Sequence, residues 1–300
     1  MSTNSFAVGR DGTRIFVRQR PCEGAPTPVT AILCDGIACD GFIWKYLWDD
    51  LASVVNVAHW NYRGHGRSAL PEDPAAIELS DCAWDLDAVR KAIGDGPVVL
   101  VGHSMGCQVA LEELRIRPEG VVGLVLVCGS SGRITHTFKG TNVLAQVLPK
   151  AIERVDAHPE IAQAIWSHVP PEVALSVALI TGEVDKEAIK PADLLPYMKH
   201  MVDIDLRMFL RMLRSAGDHS ALDLLPQIDI PALVIAGDRD SFTPPRYAEE
   251  MAASLPRGEL FMVAGGTHVV PIERKDMVRE RVDKFLRERV GVGQAATPAP

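Results

Sequence analysis

The residues from Gly102 to Gly106 read Gly-His-Ser-Met-Gly and place a serine between two glycines, in the pattern GxSxG. An apolar run ends at Val101, directly before this segment, and a helical pattern begins at Met105. A serine in a tight strand-to-helix turn is exposed above the edge of a sheet, and glycines let the two backbones approach. This context predicts that Ser104 is a nucleophile. The alternative is an ordinary turn in which the serine only caps the helix.

A serine hydroxyl attacks a carbonyl only when a base accepts its proton and a carboxylate orients that base. His268 lies in the glycine-rich loop 265–268 after a late apolar run, and we predict that it is the base. Asp240 follows the run 232–236 and is the predicted acid. Asp238 is the alternative acid, but it lies closer to the strand and suits a turn hydrogen bond.

Two further histidines lie near the candidate site in sequence. His103 precedes the nucleophile, and adjacent side chains in a tight turn point apart. His65 lies in another glycine-rich loop. We interpret both as structural residues.

The tetrahedral intermediate of acyl transfer needs two backbone N–H groups directed at its oxyanion. The amide of Met105, directly after the nucleophile, is the first predicted donor. An early apolar run, 29–33, leads into a turn at Gly36, so the amide of Ile37 is the second predicted donor.

Apolar runs alternate with helical patterns along most of the chain, which predicts an α/β fold with a mostly parallel central sheet flanked by helices. One segment, 13–18, alternates like a half-buried strand, and the other runs are typical of strands buried on both faces. The predicted strands are 13–18, 29–33, 54–60, 97–101, 123–127, 232–236 and 260–263. The predicted helices are 43–52, 80–93, 105–116, 245–253 and 273–289.

The alternation stops at residues 133–226, where helical stretches occur without a convincing strand. We interpret this segment as an inserted helical cap, with residues 1–132 and 227–290 forming the core. Four methionines, a phenylalanine and a leucine recur in it at near-helical spacing, and we favour packing against the core over a substrate pocket for them. They are Met198, Met201, Met208, Phe209, Met212 and Leu213. The small, proline-containing tail 291–300 is predicted to be disordered.

The 300 residues are 47% hydrophobic and 23% charged, with a formal net charge of −8, which is typical of a globular protein with a large core. Lys and Arg do not cluster, so nucleic acid is not an expected partner. Because no apolar run is long enough to span a membrane and residues 1–10 lack a secretory pattern, we expect a cytoplasmic protein without a transmembrane segment. The six cysteines have no CxxC or metal-ligand spacing, so reduced thiols are expected.

Three segments resemble the α/β-hydrolase family, specifically its capped serine esterases, lipases and cofactor-free haloperoxidase-like members. They are 102–106, the Asn-Tyr-Arg-Gly-His-Gly-Arg-Ser segment 61–68, and the acid loop 237–244. The resemblance covers nearly the whole chain outside the cap. It implies an α/β-hydrolase fold, no metal or organic cofactor, and an acid and a base at the positions of Asp240 and His268.

The chain departs from this family at Asp35-Gly36, where the family usually has His-Gly. A carboxylate there could disfavour anionic substrates or hydrogen-bond the loop, and we favour the structural role. The serine at the elbow disfavours the dehalogenase and epoxide hydrolase chemistries, which use an Asp nucleophile on the same fold.

The predicted function is hydrolysis of a carboxylic ester or related acyl bond through an acyl-enzyme, on a small hydrophobic substrate. The same triad also serves thioesterases, lactonases, amide and C–C hydrolases, acyltransferases and perhydrolases, and the sequence leaves these open. A ligand receptor that keeps the pocket without turnover is the alternative from another class.

Overall fold

The computed structural model describes residues 1–24, 26–136, 140–180 and 184–293, without the side chains of residues 177–180. Its strands form one sheet in the order β1-β2-β4-β3-β5-β6-β7-β8. The strands are β1 (Thr3–Val8), β2 (Arg14–Arg20), β3 (Thr30–Cys34), β4 (Asn56–Trp60), β5 (Val98–His103), β6 (Val121–Val127), β7 (Ala232–Gly237) and β8 (Gly258–Val263). β2 pairs antiparallel with both β1 and β4, and the other pairs are parallel. The predicted mostly parallel central sheet is confirmed.

Two strands differ from the prediction. The sequence pattern did not predict β1, because it is an edge strand on which Ala7 alone is buried and which therefore has no apolar run. β8 was predicted to be buried on both faces, but Leu260 is 40% exposed. This prediction is wrong because β8 is the other edge of the sheet and has a strand on one side only. By contrast, β5 and β7 lie inside the sheet and are buried throughout.

Helices cover the sheet and connect the parallel strands. The helices are α1 (Leu47–Ala52), α2 (Leu79–Ile93), α3 (Met105–Ile116), α4 (Val143–Ala157), α5 (Pro159–Ser167), α6 (Pro171–Ile180), α7 (Pro191–Asp203), α8 (Leu206–Asp218), α9 (Pro245–Ser254), α10 (Val270–Glu273) and α11 (Lys275–Phe285). The single helix predicted at 273–289 is instead α10, α11 and a π-helical turn, Leu286–Val290. The helix predicted at 43–52 is a 3-10 turn, Phe42–Trp44, followed by α1.

Residues 133–226, called the cap segment below, contain α4 to α8 and no strand of the sheet among their described residues. Helix α7 is joined to the first part of the chain through Asp193. Its Oδ1 accepts hydrogen bonds from Lys45 Nζ at 2.6 Å and from the Tyr46 hydroxyl at 3.0 Å. The cap segment thus contacts the residues just before α1 through charged and polar groups, and α7 also packs in the apolar core through Leu194 and Met198.

At the C-terminus, Val292 is 4% exposed and belongs to the apolar core. The predicted disorder of the tail 291–300 is therefore wrong at Val292, and residues 294–300 of that tail lie outside the described residues. Within the described ranges, no helix combines the length and the apolar character that crossing a membrane requires.

Candidate active site

The strand-to-helix turn around Ser104 has the strained geometry that the sequence predicts. Ser104 lies between β5 and α3 and has φ 53° and ψ −119°. Residues with a Cβ atom rarely adopt this backbone conformation. A Cβ atom on Gly102 would lie 2.5 Å from the carbonyl oxygen of Gly106, and one on Gly106 would lie 2.2 Å from that of Cys34. Both positions therefore require glycine, because backbone atoms cannot move aside as a side chain can.

His268 lies between the serine and an aspartate. Its Nε2 is 3.0 Å from Ser104 Oγ, and its Nδ1 is 2.9 Å from Asp240 Oδ2. An ionised carboxylate only accepts hydrogen bonds, so Nδ1 carries the proton and Nε2 is free to accept the serine proton. The structure thus brings the three residues of the predicted triad into hydrogen-bond contact across 164 positions of the sequence.

Asp240 is held by its own loop. It is 3% exposed and accepts hydrogen bonds from the backbone amides of Phe242 and Thr243, each at 2.9 Å, and from the Thr243 hydroxyl at 2.7 Å. Burial by itself raises the pKa of Asp240, but the charge of His268 and these hydrogen bonds outweigh it, so the pKa lies below 3.8. The carboxylate is therefore ionised at neutral pH.

The alternative acid, Asp238, does not reach the histidine. Its side chain is exposed, and Oδ1 accepts a hydrogen bond from the Gly265 amide at 2.7 Å. Asp238 thus bonds to the loop that carries His268, and this contact between two loops differs from the local turn hydrogen bond that was predicted.

His103 and His65 have structural contacts, as expected. His103 Nε2 donates to the carbonyl oxygen of His268 at 2.9 Å. Burial, together with the charge of His268, lowers the pKa of His103 to about 3, so this imidazole is neutral and fixes the backbone of the base. His65 Nδ1 donates to the Arg63 carbonyl oxygen at 3.0 Å, and burial lowers its pKa to about 4.

The loop after β3 lies against the nucleophile. A Cβ atom on Gly36 would lie 3.3 Å from the Cβ of Ser104 and 3.0 Å from His103 Nδ1. No residue in the described ranges accepts a hydrogen bond from the amide of the neighbouring Ile37. Met105 is the first residue of α3, where amides have no partner within the helix. Both amides are therefore available to a ligand, and their role as an oxyanion hole stays a prediction.

Asp35, which replaces the histidine usual in similar proteins, is buried beneath this loop. Its Oδ2 is 2.8 Å from His59 Nε2, and its carbonyl oxygen accepts a hydrogen bond from the Tyr62 hydroxyl at 2.6 Å. The side chain of Asp35 is not among those that line the cavity described next. These contacts favour the structural interpretation of Asp35.

Ser104 and His268 open onto a cavity of about 500 Å³ between the sheet edge and the cap segment. Its walls are mostly apolar and include Ile37, Phe42, Leu144, Leu194, Tyr197, Met198, Met201, Phe209, Leu213 and Phe242. Met208 and Met212 pack in the core, as expected, but Met198, Met201, Phe209 and Leu213 line the cavity. The preference for simple packing is therefore wrong for this second group, because α7 and α8 lie over the nucleophile.

Several site residues were missed from the sequence. Thr243 is three positions after Asp240, a spacing at which a turn hydrogen bond to the acid could have been predicted. Tyr197 and Phe42 carry no such signal, because helical periodicity does not reveal which helix faces the nucleophile. In the described ranges, no three His, Cys, Asp or Glu side chains form a group that could hold a metal ion.

The sequence matches the model of the alpha/beta hydrolase family over residues 32–281. It is 26% identical over 272 residues to polyketide synthase ThaQ of Burkholderia thailandensis, a match that covers 89% of this chain but 12% of that much longer protein. It is 24% identical over 263 residues to the putative carbamate hydrolase RutD of Klebsiella pneumoniae subsp. pneumoniae, covering 88% of this chain and 92% of the relative.

The fold is similar to that of a thermophilic esterase from Thermogutta terrifontis, with a TM-score of 0.76. The superposition covers 95% of this chain and 98% of the esterase, at 19% identity. At this level of identity the similarity establishes the fold alone, and it confirms the architecture expected from the sequence.

Proposed function

The chain belongs to the alpha/beta hydrolase family, and from this premise we propose that it is a serine hydrolase that cleaves a carboxylic ester or a related acyl bond. The observation that carries the proposal is the continuous hydrogen-bonded series from Asp240 through His268 to Ser104, which ends at an apolar cavity. A nucleophile, a base and an orienting acid in this order are the parts that acyl transfer requires.

In the proposed reaction, Ser104 Oγ attacks the substrate carbonyl while its proton passes to His268 Nε2. The carbonyl electrons move onto oxygen, and the amides of Ile37 and Met105 stabilise that oxyanion. When the tetrahedral intermediate collapses, the imidazolium gives its proton to the leaving alcohol. Water, activated by His268, then releases the acid from the acyl-enzyme. Asp240 stays ionised and stabilises the imidazolium at each step.

The cavity supports a small or medium apolar substrate. Its described walls contain no Asp, Glu, Lys or Arg side chain that could pair with a charged group, and burying an unpaired charge is costly. A volume of about 500 Å³ lies in the range of small-molecule sites. Thioesters, lactones, amides, carbamates and C–C bonds, as well as transfer to an acceptor other than water, use the same residues and are the alternatives to be tested.

The test is hydrolysis of p-nitrophenyl esters over a range of acyl lengths by the wild type, Ser104→Ala and His268→Ala. We expect both variants to lose kcat by about 10⁴-fold or more, whereas Ser254→Ala, an exposed serine in α9, keeps wild-type activity. Unchanged activity in Ser104→Ala would contradict the mechanism.

Labelling by a fluorophosphonate probe, combined with turnover assays, distinguishes an enzyme from a receptor that binds a ligand without turnover. Labelling of Ser104 in a folded wild type that turns over no acyl compound would favour the receptor over the enzyme. Labelling together with ester turnover favours the enzyme.

A further inference from the structure

Among the described residues of the cap segment, Tyr197 is the polar one that lines the cavity. It lies on α7, and its ring stacks on Phe42 with centroids 4.5 Å apart and planes at 24°. Phe42 belongs to the 3-10 turn that follows the loop of Ile37. The ring of Tyr197 thereby connects the cap segment to the residues that follow the loop of Ile37.

Helix α7 is fixed where it carries this residue. One turn before Tyr197, Asp193 accepts hydrogen bonds from Lys45 and Tyr46 of the core. One turn after it, the carbonyl oxygen of Met201 accepts a hydrogen bond from Trp166 Nε1 at 3.0 Å. Since both neighbouring turns have tertiary partners, the phenol is preorganised and does not need to be ordered by a ligand.

The Tyr197 hydroxyl has no hydrogen-bond partner among the residues that the structure describes. Burial and the Cys39 thiol raise the pKa of this phenol well above its usual value, so the hydroxyl keeps its proton at neutral pH. The other polar side chains that reach the cavity from outside the triad are bonded. Thr243 donates to Asp240, the Cys39 thiol donates to the Ile37 carbonyl oxygen, and His103 donates to the His268 carbonyl oxygen. His103 Nδ1 has no partner, but it is an acceptor and is sealed from the cavity.

Because Tyr197 lines the cavity, an apolar ligand that displaces water from its hydroxyl leaves that hydroxyl without a partner, which is costly, whereas a ligand that offers an acceptor avoids this cost. A phenol at neutral pH donates a hydrogen bond, which calls for an acceptor oxygen on the ligand. A carboxylate does not fit, because no cationic side chain lies in the described walls to offset its charge. The matching ligand atom is a neutral oxygen.

We propose that Tyr197 is a specificity-determining residue whose hydroxyl donates a hydrogen bond to an ether, hydroxyl or carbonyl oxygen on an otherwise apolar acyl compound. This inference rests on the proposed function for the identity of the reacting bond. It adds that the preferred substrate carries an oxygen at one defined distance from that bond.

The test is an oxygen scan. A series of p-nitrophenyl esters of one chain length is prepared, in which a single methylene at successive positions is replaced by an ether oxygen. We measure kcat/KM in the wild type and in Tyr197→Phe, and binding of the same esters to Ser104→Ala and Ser104→Ala/Tyr197→Phe by calorimetry. Binding to the Ser104→Ala background needs no turnover, so it reports on Tyr197 even when hydrolysis fails.

When the ether oxygen is at one particular position, we expect the wild type to bind the ester as tightly as the all-carbon ester. At that position Tyr197→Phe should bind about tenfold more weakly than the wild type, and at the other positions the two proteins should differ little. Tyr247→Phe, a tyrosine on α9 outside the cavity walls, is the matched control and should leave the profile unchanged. Superimposable profiles for Tyr197→Phe and its parent would overturn the inference, since the phenol would then be satisfied without the ligand. Absence of hydrolysis with a retained position-specific loss of binding would support the role of Tyr197 and refute the proposed hydrolysis.

Discussion

At the scale of single residues, Asp240 has two tasks that an amide could not perform together. Its Oδ2 accepts from both His268 Nδ1 and the Thr243 hydroxyl, and its Oδ1 accepts from two backbone amides. An asparagine must place an NH₂ group against one of these sets of donors. If it faces the histidine, the imidazole carries its proton on Nε2 and cannot accept one from the serine.

We therefore expect Asp240→Asn to lower kcat by about 10³- to 10⁴-fold in a folded protein. The measurement is ester hydrolysis together with circular dichroism. Asp238→Asn is the matched control, because Asp238 contacts the Gly265 amide and not the histidine. An equal loss of kcat in the control would contradict the assignment of the acid.

The buried pair of Asp35 and His59 leads to a prediction about stability. Both side chains are almost completely buried and lie 2.8 Å apart. Removing one partner leaves the other without its hydrogen bond in the protein interior, which costs about 1–3 kcal/mol. We expect Asp35→Ala and His59→Ala each to lower the free energy of unfolding, and the double variant to lose less than the sum of the two.

Urea unfolding of the four proteins gives the coupling energy of this pair. A purely additive double variant would show that the two residues do not stabilise each other. Because Asp35 does not line the cavity, the folded Asp35→Ala protein should keep the acyl-length preference of the wild type.

At the scale of elements, Glu273 of α10 links the loop of the base to the cap segment. Its carboxylate accepts from the Thr267 amide at 2.9 Å and the Thr267 hydroxyl at 2.8 Å, directly before His268. It also accepts from the Asp185 amide of the cap segment at 2.6 Å. Arg274 adds a second link, since it donates to Asp185 Oδ2 at 2.7 Å and to the Gly265 carbonyl oxygen at 2.9 Å.

Loss of these contacts should displace His268 without removing it. We expect Glu273→Ala to lower kcat by about tenfold to a hundredfold, because small misplacements of reacting groups have effects of this size. Glu280→Ala, an exposed residue of α11, is the control. The measurement is kcat and KM for one p-nitrophenyl ester, and a change in KM alone would show that Glu273 acts on the cap segment and not on the base.

At the scale of the whole molecule, buried histidines make stability depend on pH. Burial lowers the pKa of His65 from 6.5 to about 4 and that of His103 to about 3. Between these values and 6.5 the two histidines bind protons in the unfolded chain but not in the folded protein, so their contribution to stability is complete above pH 6.5 and falls as the pH falls. Each such histidine contributes about 1.4 kcal/mol per pH unit within its window.

Burial also raises the pKa of Asp85 to about 6 and that of Glu113 to about 7, which stabilises the folded protein as the pH falls and opposes the loss from the histidines. The test is therefore the difference between the wild type and a histidine variant in urea unfolding from pH 6.5 to pH 4. His65→Asn keeps a donor for the Arg63 carbonyl oxygen and should reduce the slope by about 1.4 kcal/mol per pH unit. His158→Asn, at an exposed position of the cap segment, is the control. An unchanged slope in His65→Asn would mean that His65 titrates normally in the folded protein.

Features that depend on a few neighbouring residues could be predicted from the sequence by itself. The elbow at Ser104, the apolar strands that precede Ser104 and Asp240, and the loop that carries His268 each result from local chemistry, namely glycine at strained positions and β-branched residues in buried strands. Parallel strands place their carboxyl ends at one edge, so even the meeting of these three residues followed from the strand pattern. The edge strands β1 and β8 were described less well, because an edge position depends on which strands pair.

What only the tertiary structure decided is which side chains face each other across different elements. Examples are the contact of His59 with Asp35, the hydrogen bond of Glu273 to the cap segment, and the position of Tyr197 in the wall of the cavity onto which Ser104 opens. Each joins different elements of the fold. The rotation of a helix about its axis and its position on a sheet are set by the sum of many weak contacts, each of about 0.1–0.2 kcal/mol per atom pair. No short segment contains that sum, so periodicity predicts the helices of the cap segment but not the wall that they form over Ser104.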